Sequence, residues 1–502
     1  MPEAHGLPQL FADGTRRLTA ADLEAVSTPV AVVLSEDVRA RVVACEKFVA
    51  DAAASGRQVY GLTTGYGPLV AYSSNPDPGA NSRGLVSFLQ ASQGPPLPEP
   101  IVRAMLLARI WSLSAGRSGI HLSTLETVVR SLATSLTPVV PELGSVGASG
   151  DLSPLAHAAG ALMGMGEAFV DGVRLPAAEA LKLVGLAPLE LRGRDGLALV
   201  NGTSLTASAA GLAARGAQRA IDVALRLSAL LTETVGAELQ YADHDLLLAT
   251  GHQDLAAIAD RLHGYLRGAI PSGKRGLQEP YSIRCVPQLV GGVQISVRHA
   301  GRVAEDDLNG VNDNPMFFAE LDKIAHGGNF FGQAAGLAAD SVNVAAVQLA
   351  NLAERQLDLM MDPNRNGGLN PLLSADPGVQ SGITGVNITT TAIVGHMRRL
   401  VTPSSTQSLP TNMHNQDIVP FSTQAALEAW HQVERLRWVH GALAVALRQA
   451  AYVGGCAPCS EAGTALLAQL SDLIPPVDPD RPLDQEVRQA ADAVYAIANP
   501  AA

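Results

Sequence analysis

Ala148-Ser149-Gly150 is the segment of this chain with the most distinctive chemistry, because it can react with itself. It lies within Gly144-Ser-Val-Gly-Ala-Ser-Gly-Asp-Leu-Ser-Pro-Leu-Ala-His157. If the amide nitrogen of Gly150 attacks the carbonyl carbon of Ala148 and two waters are lost, the product is a methylidene-imidazolone (MIO) ring. Its exposed methylene derives from Ser149 and accepts amines. The reaction needs a tight, strained turn, which the flanking Gly147 and Gly150 permit.

The same segment has a structural interpretation. Gly-Ala-Ser-Gly-Asp is also a plain loop, in which Asp151 or Ser153 would cap the helix that follows. The tripeptide alone does not separate the two interpretations.

Six further segments favour the chemical interpretation. The chain resembles the aromatic amino-acid ammonia-lyases and 2,3-aminomutases in all of them, in the same order along the chain. The resemblance runs from residue 60 to residue 417 and implies a carbon–nitrogen lyase, or the related aminomutase, with MIO formed from Ala148-Ser149-Gly150. The segments are Tyr60-Gly-Leu-Thr-Thr-Gly-Tyr-Gly67, Gly196-Leu-Ala-Leu-Val-Asn-Gly-Thr203, Gln278-Glu-Pro-Tyr-Ser-Ile-Arg-Cys-Val-Pro-Gln288, Asn312-Asp-Asn-Pro315, Gly327-Gly-Asn-Phe330 and His414-Asn-Gln-Asp417.

The elements that carry these segments are predicted to be mainly α-helical. Proline, although it occurs 31 times, is absent from residues 189–270, 316–362 and 421–457, as long helices require. In the last interval an apolar stripe recurs at steps of three and four residues. Its members are Leu427, Trp430, Val433, Leu436, Val439 and Leu443.

The resemblance makes the expected fold more specific. It implies a fumarase/aspartase-like fold, with a long central helical bundle and a smaller N-terminal domain that carries the MIO loop. It also implies a homotetramer whose active sites draw on several subunits. We predict three domains: residues 1–204 with the MIO loop, 205–457 forming the bundle, and 458–502 as a helical extension.

Elimination of ammonia from an α-amino acid needs help at two carbons. An electrophile that bonds the amine makes it a better leaving group, and a strong base takes the weakly acidic proton from the β-carbon. By resemblance, Tyr60 is that base. A tyrosine beside a glycine-rich turn is by itself more often a packing residue, so this assignment depends on the whole segment from Tyr60 to Gly67.

The remaining site residues bind the substrate or orient the ring. Arg284 suits the substrate carboxylate because a guanidinium grips it with two parallel hydrogen bonds. Tyr281 lies three residues earlier, on the same side of a helical turn, and the resemblance gives it a proton-handling role. Asn201 resembles the family residue that hydrogen-bonds the imidazolone or the amine. The residues that match the family's pocket lining are Gln278, Asn329, Phe330 and Gln416.

The substrate ring is predicted to contact Phe88 and Leu89. Phe88-Leu89 occupies the place that His-Leu holds in tyrosine-selective members of the family and Ser-His in histidine-selective members. Phe331 also stands where many members carry histidine. An apolar wall favours phenylalanine, with tyrosine second, although such a wall rejects a hydroxyl only modestly.

Departures from the family patterns keep other outcomes open. The opening motif reads Leu-Thr-Thr-Gly-Tyr-Gly rather than Asn-Thr-Gly-Phe-Gly, and His414 to Pro420 lacks the Gln-Glu-Asp-His run of histidine lyases. Thr-Thr-Gly-Tyr-Gly and Ser405-Thr-Gln-Ser408 look more like the bacterial tyrosine aminomutases, which return ammonia to the β-carbon. Lyase and aminomutase outcomes, and histidine as a substrate, therefore remain alternatives. A catalytically silent scaffold of the same bundle is an alternative of another class.

Composition excludes several classes of partner. Hydrophobic residues make up 47% of the 502 residues and charged residues only 16%, which favours extensive subunit contacts. The net charge of -12, without long runs of one sign, argues against nucleic acid or an anionic membrane. The start lacks a leader pattern and no apolar run reaches the ~18 residues of a membrane span. We expect a cytoplasmic protein.

Several motifs are predicted to be structural. Cys456-Ala-Pro-Cys459 lacks the second pair that a zinc or redox site would need. Gly268-Ala-Ile-Pro-Ser-Gly-Lys274 resembles a phosphate-binding loop, but Arg275 stands where a hydroxyl should bind magnesium. We expect no metal, since no histidines have ligand spacing. The histidines interpreted as structural are His157, His326 and His414.

Overall fold

The described part of the chain, residues 6–498 of a computed structural model, is mainly helical. Residues 1–5, which contributed to the argument against a leader, lie outside it. The mainly α fold is thus confirmed. In chain order the α-helices are α1 Ala20–Ala25, α2 Glu36–Ala54, α3 Pro78–Leu89, α4 Glu99–Ser114, α5 Leu122–Leu132, α6 Leu152–Leu162, α7 Ala177–Leu183, α8 Asp195–Val200, α9 Ser204–Thr234, α10 His244–Leu248, α11 Gln253–Tyr265, α12 Tyr281–Arg284, α13 Val286–Leu308, α14 Gln333–Met360, α15 Thr384–Arg399, α16 Ser422–Tyr452, α17 Glu461–Leu473 and α18 Asp484–Ala496.

Short strands of three or four residues form four small sheets. The sheet β1–β2 is parallel, and β3–β5, β4–β6–β7 and β8–β9 are antiparallel. The strands are β1 Gln9–Ala12, β2 Ala31–Leu34, β3 Gln93–Pro96, β4 Leu136–Pro138, β5 Pro141–Leu143, β6 Glu167–Val170, β7 Val173–Pro176, β8 Met316–Phe318 and β9 Lys323–Ala325.

The folded chain divides into two compact units. The first unit comprises the chain up to Leu212, Ala300–Asp340 and Pro403–Leu427, and it contains all nine strands of the described residues. The second comprises Ala213–His299, Ser341–Thr402 and the chain from Glu428 onward. Each unit combines segments that are distant in sequence. The predicted division at residues 204 and 457 runs along the chain and stays a prediction.

The proline-free intervals contain the longest helices, as predicted. They hold α9, α14 and α16. In the second unit the predicted stripe of α16 is buried at Val433, Leu436, Val439 and Leu443. A Cβ at Gly216 of α9 would lie 2.7 Å from Val433 Cγ1, so glycine there permits a close approach of α9 to α16. The three- and four-residue spacing therefore identified the core-facing stripe.

The other sequence-based assignments outside the site can be checked in the same residues. Residues 268–275 form a loop after α11, as expected for a false phosphate-binding motif. Residues 474–483 connect α17 to α18. No helix within residues 6–498 is both long enough and apolar enough to cross a bilayer.

His440 on α16 is buried against α18 within the second unit. Its Nδ1 lies 3.0 Å from the hydroxyl oxygen of Tyr495, and its Nε2 has no partner among the described residues. Burial lowers the pKa of His440 to about 3, below the ordinary value of about 6.5. The folded state therefore holds a neutral imidazole that the unfolded chain would protonate in mild acid.

This burial predicts a pH-dependent loss of stability. A depressed pKa in the folded state means that the full stability is present above pH ~6.5 and falls as the pH drops toward 3. At pH 4.5 the loss from His440 is on the order of 2 to 3 kcal/mol. The free energy of unfolding, measured with urea at pH 7 and pH 4.5, should fall less between the two pH values in His440→Gln than in the unmutated protein. His263→Gln, at an exposed site of α11, is the control; an equal pH effect in both variants would contradict the prediction.

A candidate active site around Ser149

The loop that carries Ala148, Ser149 and Gly150 lies between β5 and α6 in the first unit. Gly147 and Gly150 have φ angles of +70° and +69°, which favour glycine. A Cβ at Gly150 would overlap the carbonyl oxygen of Gly202, and one at Gly147 would overlap Ser422 Oγ. The N–H of Asp151 donates to the Gly202 carbonyl at 2.8 Å. The loop is thus a tight turn held against its neighbours on both sides.

Two side-chain amides converge on Ser149. Asn201 Nδ2 donates to the Ser149 carbonyl oxygen at 3.0 Å, and Gln416 Nε2 donates to Ser149 Oγ at 2.8 Å. The Gln416 amide is oriented in turn, because Thr411 Oγ1 donates to its Oε1 at 2.5 Å. The structure therefore brings together three of the residues singled out from the sequence.

The surroundings of the turn fit an imidazolone ring. Both glycines leave the tripeptide backbone free of Cβ crowding. Asn201 is buried, and its Oδ1 has no hydrogen-bond partner among residues 6–498. An unpartnered buried acceptor costs about 1–3 kcal/mol, so its presence beside Ser149 calls for an explanation. A ligand that carries N–H groups, such as a substrate amine, would satisfy this oxygen.

Asp151 does not cap α6, contrary to the structural interpretation of the loop. It stands at the N-cap position without a capping hydrogen bond. Its carboxylate accepts from Thr206 N at 2.9 Å, Thr206 Oγ1 at 2.8 Å and Thr423 Oγ1 at 2.7 Å. Burial raises the pKa of Asp151. Ser153 does not cap either, since its Oγ donates to the Leu89 carbonyl. Tertiary hydrogen bonds, which the sequence pattern does not reveal, outcompete the local cap.

Tyr60 lies on a second tight loop. Its phenol oxygen accepts the N–H of Gly67 at 2.7 Å, an interaction that stabilises negative charge on that oxygen. Gly67 has φ +54°, and a Cβ there would lie 2.5 Å from Asn412 Nδ2. The loop of Tyr60 therefore lies against residues 411–416, which carry Gln416.

Phe88 and Leu89 lie at the end of α3. The Tyr66 ring lies between Tyr60 and Phe88, with ring centroids 6.3 Å from the first and 6.5 Å from the second. Phe88 is 61% exposed. The Leu89 carbonyl accepts from Ser153 Oγ at 2.6 Å, which ties the end of α3 to the start of α6. The proposed base and the proposed ring wall are thus neighbours.

Asn329 and Phe330 lie on the loop before α14. Asn329 Nδ2 donates to the Val311 carbonyl at 3.4 Å and lies 3.1 Å from Met316 Sδ. The structure therefore joins Asn329 to the segment around Asn312-Asp-Asn-Pro315. Gly332, two residues after the half-buried Phe330, would clash with Ser422 if it had a Cβ. Ser422 is the residue that also limits Gly147, so this loop approaches the turn of Ser149.

Gln278, Tyr281 and Arg284 belong to the second unit. The Arg284 guanidinium lies over the Tyr281 ring, 4.8 Å from its centroid, so the two residues share one side of α12 as predicted. Tyr281 is 70% exposed. Arg284 Nε is buried and has no hydrogen-bond partner among the described residues. Within the second unit, Tyr281 and Arg284 therefore place a phenol ring and a guanidinium in contact with each other.

A buried ion cluster, which no sequence pattern indicated, supports Asn201. Asp313 lies between two buried arginines, 2.9 Å from Arg194 Nη2 and 3.6 Å from Arg109 Nη2. Arg109 Nε also donates to the Ala198 carbonyl at 2.9 Å, which fixes the helix that ends just before Asn201. Desolvation lowers the pKa of Arg109 to about 10. Asp313 belongs to a family motif, but its arginine partners are too distant in sequence to be paired with it.

The histidines singled out from the sequence contact backbone groups or solvent. His157 Nε2 accepts from Ser92 N at 3.3 Å, and His326 Nε2 accepts from Tyr60 N at 3.4 Å. Burial lowers the pKa of both rings, in keeping with neutral acceptors. His414 is exposed. No group of three or more His, Cys, Asp or Glu side chains in residues 6–498 is arranged to hold a metal ion.

Known proteins are similar to this chain in sequence and in fold. Residues 18–472 match the family model for aromatic amino acid lyases. A histidine ammonia-lyase of Symbiobacterium thermophilum is 36% identical over 472 residues, 92% of each chain. A tyrosine ammonia-lyase of Cereibacter sphaeroides is 38% identical over 488 residues, also 92% of each chain. The solved structure of a tyrosine aminomutase from Streptomyces globisporus matches 98% of this chain and 97% of its own, with a TM-score of 0.91 and 31% identity.

Proposed function

Since the chain belongs to the aromatic amino acid lyase family, and is therefore a carbon–nitrogen lyase of the ammonia-lyase and aminomutase group, we propose that it eliminates ammonia from an aromatic L-amino acid with a phenylalanine-like ring. The product is the aryl acrylate, or the β-amino acid where the amine is added back. The observation that carries this proposal is the convergence of the Asn201 and Gln416 amides on Ser149 in a turn flanked by glycines.

The cofactor we propose is MIO, formed from Ala148, Ser149 and Gly150. When formed, it supplies an electrophilic methylene that bonds an amine and makes it a better leaving group. In the unreacted turn Asn201 donates to the Ser149 carbonyl oxygen, which the ring would retain, and Gln416 donates to Ser149 Oγ, which would leave as one of the two waters. The unpartnered Oδ1 of Asn201 accepts an N–H from the substrate amine. The two contacts of Asn201 would thus fix the amine relative to the ring.

Tyr60 is the proposed base for the β-proton. The N–H that Gly67 donates to its phenol oxygen stabilises the charge on a phenolate, which is a base strong enough for a weakly acidic C–H. The half-buried ring is fixed against Tyr66. A base with a fixed direction favours removal of one β-proton over the other.

Arg284 is the proposed partner of the substrate carboxylate, with Tyr281 in proton handling and Gln278, Asn329 and Phe330 lining the pocket. The assembly we propose is a cytoplasmic homotetramer in which several subunits contribute to each site. Exposed apolar residues of the first unit support an interface beside the loops of Tyr60 and Gln416. They are Leu69, Val70, Tyr72, Leu409, Met413 and Ile418.

Phenylalanine is the proposed substrate because Phe88 offers an apolar surface beside Tyr60 and Tyr66. Tyrosine and histidine are the alternative substrates, supported by the 38% identity to a tyrosine ammonia-lyase and the 36% identity to a histidine ammonia-lyase. An imidazole facing Phe88 and Leu89 would lose its hydrogen bonds to water without replacement there, which disfavours it. The likeness to a tyrosine aminomutase supports re-addition of the amine as the alternative outcome.

Incubation of the purified protein with L-phenylalanine, L-tyrosine and L-histidine, each alone, tests the proposed function. Acrylate, β-amino acid and free ammonia are measured for each substrate. Cinnamate with ammonia supports the lyase outcome, and β-phenylalanine as the main product supports the aminomutase outcome. Urocanate as the main product would contradict the ring preference. No product from any of the three would contradict the proposed substrate class.

Exchange of Phe88 for histidine should change substrate preference. The imidazole would offer a hydrogen-bond partner to a phenol, so the ratio of kcat/KM for tyrosine over phenylalanine should rise by about 10- to 100-fold. Phe88→Leu removes the aromatic ring without adding polarity, and should leave that ratio within a few-fold of the starting value. An unchanged ratio in Phe88→His would show that the substrate ring does not contact this residue.

A further inference from the structure

Tyr66 lies in the segment from Tyr60 to Gly67, and no sequence motif assigns it a role of its own. Its ring meets Tyr60 edge-on, at an interplanar angle of 84°, and meets Phe88 at 53°. It also packs closely on the backbone beside the proposed base, because a Cβ at Gly61 would lie 2.8 Å from Tyr66 Cε1. Tyr66 is therefore the side chain through which the proposed base and the proposed ring wall contact each other.

Asn81 on α3 holds Tyr66 in this position. Its Nδ2 lies 3.0 Å from the Tyr66 hydroxyl oxygen and 3.1 Å from the Gly61 carbonyl oxygen, and donates to both. Asn81 and Phe88 are seven residues apart on the same helix, which places them on one face two turns apart. One amide therefore joins α3 to Tyr66 and to the residue that follows the base.

The two phenols have different environments. Burial raises the pKa of Tyr66; the charge of Arg194 opposes this shift and the neighbouring Tyr60 phenol adds to it. Burial thus favours the neutral phenol at Tyr66. The oxygen of Tyr60 instead accepts a backbone N–H from Gly67. The Tyr60 oxygen thus has a backbone donor that would stabilise a phenolate, and Tyr66 forms a wall beside it.

We infer that Asn81 and Tyr66 are positioning residues that fix the direction of the Tyr60 phenol relative to the ring wall of α3, an inference that rests on the proposed function. Displacement of a catalytic group by about 1 Å can reduce rate by about 100-fold. Loss of the Asn81 amide releases the backbone at Gly61 and the Tyr66 ring together. The consequence falls on kcat, because the carboxylate and amine partners of the substrate are untouched.

A double-mutant cycle with Asn81→Ala and Tyr66→Phe tests this inference. Tyr66→Phe keeps the ring and removes only the oxygen that accepts from Asn81. We expect kcat to fall about 10- to 100-fold in Asn81→Ala and about 3- to 10-fold in Tyr66→Phe, with KM changed less than about threefold in each. The double variant should lose no more than Asn81→Ala alone, because both changes break one unit. Ser87→Ala, at an exposed position of α3, should change neither constant.

The outcomes separate this inference from the proposed function. Full multiplication of the two losses, or an effect on KM alone, would overturn the joint positioning role while the elimination stands. Turnover at the starting rate in Asn81→Ala would overturn it as well. An unmutated enzyme that releases no acrylate, β-amino acid or ammonia from any aromatic amino acid would overturn both the proposed function and this inference. Near-ultraviolet absorbance and thermal unfolding of each variant should match the unmutated protein.

Discussion

Replacement of Ser149 by alanine is expected to remove nearly all activity together with the part of the near-ultraviolet absorbance that the MIO ring contributes. The alanine methyl group cannot lose water to give the exposed methylene, so no electrophile would bond the substrate amine. We expect kcat to fall by at least about 1,000-fold, which corresponds to about 4 kcal/mol of lost transition-state stabilisation. Intact mass spectrometry provides the direct measurement. The unmutated protein should be lighter than its calculated mass by two waters, and Ser149→Ala should have its calculated mass.

The control for this experiment is Ser123→Ala, which makes the same change at an exposed position of α5. It should keep the mass deficit, the absorbance and the activity. An unmodified mass for the unmutated protein would contradict the proposed cofactor and favour the catalytically silent scaffold. Turnover by Ser149→Ala at the starting rate would show that the elimination does not depend on this residue.

Much of the fold could be predicted because long helices have a strong signature in the sequence. Three proline-free intervals predicted long helices, which are α9, α14 and α16. The apolar residues spaced along α16 predicted a buried stripe, which the structure also has. The short strands were not predicted, since three or four residues are too few to give a recognisable alternation. The compact units combine distant segments, and such long-range packing has no local pattern.

The candidate site was predictable where its residues belong to contiguous motifs. The Ser149 turn, Tyr60, Asn201 and Gln416 were each predicted in this way; the structure brings their loops together, and their roles stay predictions. The tertiary hydrogen bonds of Asp151 and the hydrogen bond from Asn81 to Tyr66 were not predicted. Asp151 looked like a helix cap because its true partners, Thr206 and Thr423, are far along the chain. Asn81 belongs to none of the recognised motifs. Its positioning role was inferred only from the contacts that it makes from α3.

Replacement of Tyr60 by phenylalanine is expected to reduce turnover strongly while leaving the cofactor intact. The change removes one oxygen and keeps the ring that packs against Tyr66, so the loop should retain its position. Loss of a positioned general base lowers kcat by about 100- to 10,000-fold, and we expect a value in this range. The mass deficit of two waters and the near-ultraviolet absorbance should be unchanged, because neither depends on the phenol.

The control for Tyr60→Phe is Tyr452→Phe, since Tyr452 ends α16, is 44% exposed and has no proposed role in the site. It should retain activity. If Tyr60→Phe also retained its activity, the base would have to be another group. Tyr66 would be a poor replacement, because burial raises its pKa and its oxygen already accepts from Asn81. If instead the mass deficit disappeared with the activity, Tyr60 would act in formation of the cofactor. Activity and mass measured on one sample therefore distinguish a base from a residue needed for maturation.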